Sequence, residues 1–271
     1  MRRMKVLGLP YGIWMAAFTA VPMLLMAVYA LRGESGFSLS NFASFFSPIY
    51  LRVLWDSAVI AFWSTAASLC IGYPAAYFIS VMEDRQREFF LMLLILPTWM
   101  NFLLRTYSWM NLLGKNGLLN RALDLLGIGP ANLLYNNGAV LLGMLYNFLP
   151  FMIYPIYSVL RKLNPSYLEA AKDLGASPWK AFWKITFPLS LPGVATGVTM
   201  VFMPAVSTFV IPELLGGAQK MYIGNLIQHQ FLVKGDWGFG SAISIIMMFF
   251  ILLAMYVMNR FAGDEKENAL W

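Results

Sequence analysis

The side chains best suited to chemistry in this chain are one carboxylate and a set of aromatic and amide groups in otherwise apolar stretches. Glu213 is the only acidic residue that we place inside a long apolar stretch, near its predicted outer end. A carboxylate with aromatic faces nearby is suited to bind an organic cation, since each cation–π contact contributes roughly 0.5–2 kcal/mol. The candidate residues of a cation pathway are Trp99, Asn101, Trp109, Tyr146, Asn147 and Glu213.

The spacing of three polar residues predicts one polar helix face. Asn101, Arg105 and Ser108 follow one another at i, i+4 and i+7, which lie on the same side of a helix. Polar groups inside a membrane are costly and suggest a functional role. Two structural alternatives stay open for Glu213: it pairs with Arg105, or it caps the turn at Gly216-Gly217.

A second candidate site is the polar segment 161–190. Asn164-Pro165 and Ser177-Pro178 are each typical of a helix start, with a capping side chain followed by proline. Gly175 between them is typical of a helix end. The segment therefore predicts two short helices that a soluble protein could bind, and the alternative is a loop that only covers the helix bundle. The candidate contact residues are Glu169, Ala170, Ala171, Asp173 and Gly175.

Membrane helices must position both sets of residues. The 271-residue chain is 59% hydrophobic and 12% charged, whereas globular proteins average about 25% charged residues. A spanning helix needs about 20 mainly apolar residues. Six such stretches are predicted, near residues 9–31, 57–82, 89–113, 138–160, 191–214 and 241–261. We predict an all-α integral membrane protein in which residues 1–271 form a single transmembrane domain.

The distribution of positive charge predicts the orientation. Lys and Arg are enriched in cytoplasmic loops, and most of those outside the spans fall on the side of both termini and segment 161–190. These parts are therefore predicted to be cytoplasmic. The first apolar stretch is longer than the roughly 7–15 residues of a signal-peptide core, so we expect it to remain as a span.

The sequence motifs of nucleotide hydrolysis and metal binding are absent. There is no GxxxxGK[ST] loop, no HExxH and no cysteine cluster, because Cys70 is the single cysteine. We therefore expect no catalytic residue, bound cofactor or metal on this chain, and any ATP hydrolysis must come from another subunit. The net charge of +6 follows the membrane topology and does not indicate nucleic acid binding.

Segment 161–190 resembles the EAA loop of permease subunits of bacterial ABC importers. The resemblance is carried by Glu169-Ala170-Ala171, Gly175, Ile185 and Pro188, while Phe187 stands where leucine is usual. It implies a type I ABC importer permease in a bacterial inner or plasma membrane, with the loop as coupling helix. The implied partners are membrane lipid, a second permease subunit, two copies of a cytoplasmic ATPase that bind ATP and Mg, and an extracytoplasmic binding protein.

Further stretches are similar to the first permease subunit of spermidine/putrescine importers. They are residues 96–107, 149–157, 212–232 and 236–244. The similarity implies a heterodimeric permease that imports polyamines by alternating access. An ABC permease for another small solute, such as iron, thiosulfate or molybdate, is an alternative. An ion-coupled secondary transporter or channel and a non-transporting scaffold are alternatives from other classes.

Overall fold

The computed structural model describes residues 9–33, 36–217 and 219–268, and helices dominate it. In chain order the helices are α1 (Leu9–Met15), α2 (Val21–Ala30), α3 (Ser40–Phe45), α4 (Pro48–Val81), α5 (Asp84–Ile95), α6 (Phe102–Leu113), α7 (Leu118–Leu125), α8 (Asn137–Lys162), α9 (Ser166–Asp173), α10 (Pro178–Ala181), α11 (Phe187–Ser207), α12 (Val210–Gly216), α13 (Ile223–His229) and α14 (Trp237–Asn268). Two short strands, β1 (Arg32–Gly33) and β2 (Gly36–Phe37), pair in antiparallel fashion. The predicted all-α fold is confirmed.

Within the described residues, five helical segments are long and apolar enough to cross a membrane. They are Gly12–Ala30, Pro48–Val81, Asn137–Lys162, Pro178–Ser207 and Trp237–Met258. The number rises to six if the bent pair Asp84–Trp99 and Phe102–Leu125 forms one broken span. The helices near the first, fourth and sixth predicted spans therefore have bounds close to those expected, and the second begins earlier, at Pro48.

The predicted span 89–113 is not one continuous helix. The chain forms α5, then a 3-10 turn at Leu96–Trp99, and then turns by 95° before α6. Pro97 lies in that turn and lacks an amide hydrogen for a helical bond. Met100 then adopts an extended backbone with ψ of 151°. Polar backbone groups at such a break need partners from the protein or from water.

Three long helices, α4, α8 and α11, form the centre of the bundle. Helices α8 and α11 approach closely because α11 has glycine, which lacks a side chain, at two contact positions. A Cβ atom on Gly193 would lie 2.9 Å from the carbonyl oxygen of Pro155, and one on Gly197 would lie 2.8 Å from Sδ of Met152. These two glycines form a GxxxG face, which lets helix backbones approach each other. Large side chains buried in the core include Met144, Met152, Ile156, Val201 and Ile243.

The fifth predicted span, 191–214, is broken at a different place from the one its prolines predict. We expect breaks at Pro192, Pro204 and Pro212, but α11 continues through the first two and ends at Ser207. The backbone of Thr208 is extended, with ψ of 138°, and α12 then begins as a separate helix. Proline kinks a helix without ending it where neighbouring groups satisfy the freed carbonyl.

The first and last helices lie at the edge of this bundle. Helix α2 packs against α14, and the segment Gly12–Ala30 is mostly exposed. The side chain of Asn41 donates hydrogen bonds to the carbonyl oxygens of Ala30 and Arg32, at 3.1 and 3.2 Å, which fixes the chain between α2 and α3. Exposed apolar surface on these helices is suited to contact lipid or another membrane subunit.

Candidate functional site

The predicted coupling loop folds into a capped helix followed by a tight turn. The side-chain oxygen of Asn164 accepts a hydrogen bond from the amide of Ser166 at 3.0 Å, at the start of α9. At its end, Gly175 has a φ of 75°, a left-handed conformation that favours glycine. The amide of Gly175 donates to the carbonyl of Lys172 at 2.9 Å, and the amide of Ala176 donates to the carbonyl of Ala171 at 2.9 Å.

The second half of the loop is continuous with a membrane helix. The hydroxyl of Ser177 accepts from the amide of Lys180 at 3.4 Å, which caps α10. A π-helical turn, Phe182–Thr186, then joins α10 directly to α11. A force applied to the loop therefore reaches α11 through an unbroken helical rod.

Aromatic side chains fix this junction to the bundle. Phe182 lies with its ring centre 5.9 Å from that of Tyr73 and 5.6 Å from that of Tyr77, both on α4. The ring of Trp183 lies 5.1 Å from that of Phe187. Edge-to-face and tilted contacts of this kind contribute about 0.5–1.5 kcal/mol beyond their buried area. The junction between loop and membrane helix is thus well packed.

The exposed side of the loop borders a groove of about 820 Å³. Its walls include Tyr167, Ala170, Leu174, Lys184 and Pro188. Leu174 is 89% exposed and Tyr167 is 55% exposed, which is unusual for apolar side chains of a short helix. Exposed apolar grooves of this kind are typical of surfaces that contact another protein or the membrane.

Four of the five candidate coupling residues are accessible. Glu169, Ala170, Asp173 and Gly175 are exposed, whereas Ala171 is buried and packs within the chain. Ala171 is therefore placed as a packing residue of the loop, and the accessible surface consists of its neighbours. The two alanines of the Glu-Ala-Ala pattern are adjacent and identical in type, so the sequence could not predict which one is exposed and which one is buried.

The candidate residues of the third predicted span differ in exposure and in hydrogen bonding. Trp99 is 84% exposed at the bend. The Asn101 side chain caps α6, because its oxygen accepts from the amides of Leu103 and Leu104 at 2.9 and 3.4 Å. Since Asn101 lies outside the helix, it does not form the predicted continuous face with Arg105, which is buried with 8% exposure.

Two of the candidate aromatic residues meet. The ring of Trp109 on α6 lies edge-on to that of Tyr146 on α8, with centres 5.3 Å apart. Asn147, next to Tyr146, is 1% exposed, and its amide nitrogen donates to the carbonyl of Gly143 at 2.8 Å. The structure places Asn147 inside the helix bundle, away from the accessible surface.

Glu213 lines a cavity of about 180 Å³, which we call the Glu213 cavity. Its lining residues are Pro212, Glu213, Lys220, Met221, Asn225, Gln228, His229 and Val233. Glu213 is exposed in the first turn of α12 and forms no ion pair with Arg105 or any other described residue. The side-chain nitrogen of Asn225 donates to the carbonyl of Phe209 at 2.9 Å, and its side-chain oxygen is buried without a described hydrogen-bond partner. His229, the single histidine of the sequence, is one of these lining residues.

A second acidic cavity was not foreseen from the sequence. Helix α4 starts at Pro48, so Asp56 lies within it rather than before it. Asp56 lines a cavity of about 330 Å³, the Asp56 cavity, together with Trp63, Asn137, Lys220 and Tyr222. Asp56 lies directly before the apolar stretch 57–82, so the sequence alone suggests a loop residue. Only the position of the helix start, at Pro48, shows that Asp56 belongs to α4.

Two hydrogen bonds hold the Asp56 cavity together. The hydroxyl of Ser57 on α4 accepts from the amide of Ile223 on α13 at 2.8 Å. The hydroxyl of Tyr222 donates to the side-chain oxygen of Asn137 on α8 at 3.2 Å. Burial raises the pKa of the Tyr222 hydroxyl, and the nearby Asp56 carboxylate adds to this rise, because both disfavour a phenolate.

Comparison with known protein families shows the family of this chain. Residues 1–264 match the family described as the inner membrane component of binding-protein-dependent transport systems. The chain belongs to this family. It is therefore a multi-pass bacterial inner-membrane permease, a transport component and not an enzyme.

Two relatives of this permease extend over almost its whole length. The spermidine/putrescine transport system permease protein PotB of Haemophilus influenzae is 38% identical over 266 residues, covering 94% of this chain and 93% of that protein. PotB of Escherichia coli is 37% identical over 266 residues, covering 94% and 97%. The predicted membership of the ABC importer permeases is confirmed.

A solved structure confirms the architecture of the permease. A chain of a bacterial ABC transporter involved in the import of the acidic polysaccharide alginate superposes with a TM-score of 0.84. The superposition covers 96% of this chain and 95% of that one, at 17% sequence identity. The fold is therefore that of a type I ABC importer permease, and this likeness carries no information on the solute.

Proposed function

We propose that this permease carries polyamines of the spermidine/putrescine class into the cytoplasm. The observation that carries the proposal is the Glu213 carboxylate, which is exposed in a small cavity and has no described ion-pair partner. A carboxylate without a counterion attracts a cationic solute. The relatives at 37–38% identity bear the names of spermidine/putrescine permeases, which supports the same solute class.

The energy for import comes from partner subunits. The capped loop exposes Glu169, Asp173 and the groove around Leu174 to a soluble protein, and α10 continues into α11. The proposed partners are two copies of a cytoplasmic ATPase that bind ATP and Mg, a second permease subunit and an extracytoplasmic polyamine-binding protein. Both termini and segment 161–190 are cytoplasmic in this proposal, and residues 1–271 form one transmembrane domain.

The remaining pathway residues have supporting roles in the proposal. Trp99 and the contacting pair Trp109 and Tyr146 offer aromatic faces to an ammonium group, each worth roughly 0.5–2 kcal/mol. Asn101 and Asn147 contribute to the pathway indirectly in this proposal. Asn101 stabilises the start of α6 and Asn147 bonds to the backbone of α8, through the hydrogen bonds described above.

Uptake of radiolabelled spermidine by cells that lack other polyamine importers tests the proposal. Replacing Glu213 by Gln keeps the shape and removes the charge, so we expect uptake at limiting spermidine to fall about tenfold or more, since hydrogen bonds to charged groups contribute roughly 1.5–3 kcal/mol. The matched control is Glu88→Gln, which removes an exposed carboxylate from α5.

The amount of assembled importer, measured by co-purification, separates binding from folding. Loss of uptake with normal assembly supports a solute contact. Equal loss of both favours a structural role for Glu213. Saturable uptake of a different solute, with none of spermidine, contradicts the proposed solute class and leaves the permease assignment in place.

A further inference from the structure

One lysine lines both of the acidic cavities described above. Lys220 borders the Glu213 cavity and the Asp56 cavity. It also borders a third cavity of about 270 Å³, which shares Asn137 and Tyr222 with the Asp56 cavity. Lys220 therefore borders two cavities whose carboxylates lie on different helices, α4 and α12.

None of these three charges has a fixed partner within residues 9–33, 36–217 and 219–268. The described ion pairs join Asp84 to Arg87 and to Arg161, at the other end of the bundle. Lys220 is exposed, so its side chain is free to change conformation. A lysine carries a compact ammonium group on a flexible four-carbon stem. That stem and ammonium group have the same chemistry as one end of a linear diamine.

We propose that Asp56, with Trp63 and Tyr222, forms a second ammonium-binding subsite beside the Glu213 cavity. Lys220 then acts as a tethered ammonium, which competes for the two carboxylates until a solute with several ammonium groups displaces it. This inference rests on the proposed polyamine transport, because a solute with no cationic group has no reason to compete with a lysine.

The local structure holds the Asp56 subsite ready for a cation. The bond from the Ile223 amide to Ser57 fixes α13 beside Asp56, the residue that precedes Ser57 on α4. Trp63 is 59% exposed two turns further along the same helix and lines the same cavity. A carboxylate and an indole ring on one cavity wall provide both an ion-pair partner and a cation–π face for an alkylammonium group.

The tethered lysine also has a consequence for selectivity. Lys220 carries one ammonium group, so it can pair with only one of the two carboxylates at a time. A solute with one ammonium group can pair with the other carboxylate while Lys220 stays in place, whereas a solute with two or more ammonium groups can pair with both and displaces Lys220. Two carboxylates therefore give a polyamine two ion pairs where a monoamine makes one, and removal of Lys220 should strengthen polyamine binding more than monoamine binding.

Equilibrium binding of tritiated spermidine to the purified permease–ATPase complex tests the inference. For Lys220→Gln we expect about tenfold tighter binding, because the competing charge is lost, and for Asp56→Asn about tenfold weaker binding. In the double variant the gain from Lys220→Gln should shrink, because one of its two carboxylates is gone. The matched control is Lys115→Gln, an exposed lysine that lines none of these cavities.

The outcomes separate this inference from the proposed function. If the wild-type importer takes up spermidine but Lys220→Gln binds it no more tightly than Lys115→Gln does, the tethered-ammonium inference is wrong and the polyamine function stands. If the wild-type importer neither binds nor takes up spermidine, both are wrong. Lys220 lies on an exposed connection, so its variant still decides the question if Asp56→Asn does not assemble.

Discussion

At the scale of single residues, two nearby side chains at the bend before α6 have different surroundings. Trp99 is exposed, whereas the side chain of Asn101 accepts hydrogen bonds from the backbone of α6. Amide side chains at a helix start satisfy backbone amides that would otherwise lack partners. The difference arises because α6 begins directly after Asn101, a boundary that the apolar sequence around it does not reveal.

Replacing Asn101 by Ala should therefore lower stability more than it lowers affinity. Loss of a helix cap costs about 0.5–2 kcal/mol, whereas no solute contact is removed. We expect a lower melting temperature of the importer in detergent and an unchanged Kd for spermidine. Asn101→Ser, which retains a capping oxygen, should restore the melting temperature. A large loss of spermidine affinity at normal stability would instead make Asn101 a solute contact.

The sequence predicted Glu213 as an accessible carboxylate, because a lone acid in an apolar stretch is conspicuous. It could not predict Asp56 in the same way, since a charge at the edge of an apolar stretch is indistinguishable from a loop residue. The burial of Asn147 could not be predicted, for a different reason. A buried asparagine bonded to its own helix has the same sequence signature as one that faces a pathway.

At the scale of elements, segment 161–190 forms a capped helix and a turn, and its second helix continues into a membrane helix. Its turn depends on the left-handed backbone of Gly175 and on the hydrogen bond that its amide donates. Helix starts at proline and a helix end at glycine are local signals, so the loop was predictable from sequence. Its continuity with α11 was not, because a π-helical turn has no comparable signal.

Gly175→Pro should abolish uptake while leaving membrane insertion normal. Proline removes the donated hydrogen bond and cannot adopt a positive φ. The matched control is Gly127→Pro, since Gly127 has a φ of 74°, also donates a backbone hydrogen bond, and ends α7 outside the loop. Equal uptake by the two variants would show that the loop does not couple ATP hydrolysis to transport.

The contact between α8 and α11 gives a prediction about stability. A side chain at Gly197 would meet Met152 at van der Waals overlap, so Gly197→Leu should reduce the amount of folded importer and lower its melting temperature. The control is Gly12→Leu on the first membrane segment, where a Cβ would have no neighbour within 4 Å. Similar melting temperatures for both variants would contradict the close packing.

At the scale of the whole molecule, composition and apolar stretches predicted an all-α membrane protein, and the family match agrees. The count of spans was harder to predict, because hydropathy measures length and polarity but not direction. It therefore cannot detect the 95° bend between α5 and α6. The break in the fifth span lies after Ser207 and not at Pro192 or Pro204. The sequence could not predict this, because tertiary contacts decide whether a helix continues through a proline.

Reconstitution of the complete importer in liposomes tests the central claim most directly. The measurement is spermidine accumulation with ATP supplied only on the cytoplasmic side, for the wild type and for Glu169→Lys, with Glu88→Lys as a charge-reversal control at an exposed position of α5, outside the loop. We predict accumulation that requires ATP and that Glu169→Lys abolishes. Accumulation without ATP, driven by an ion gradient and unaffected by Glu169→Lys, would contradict the account.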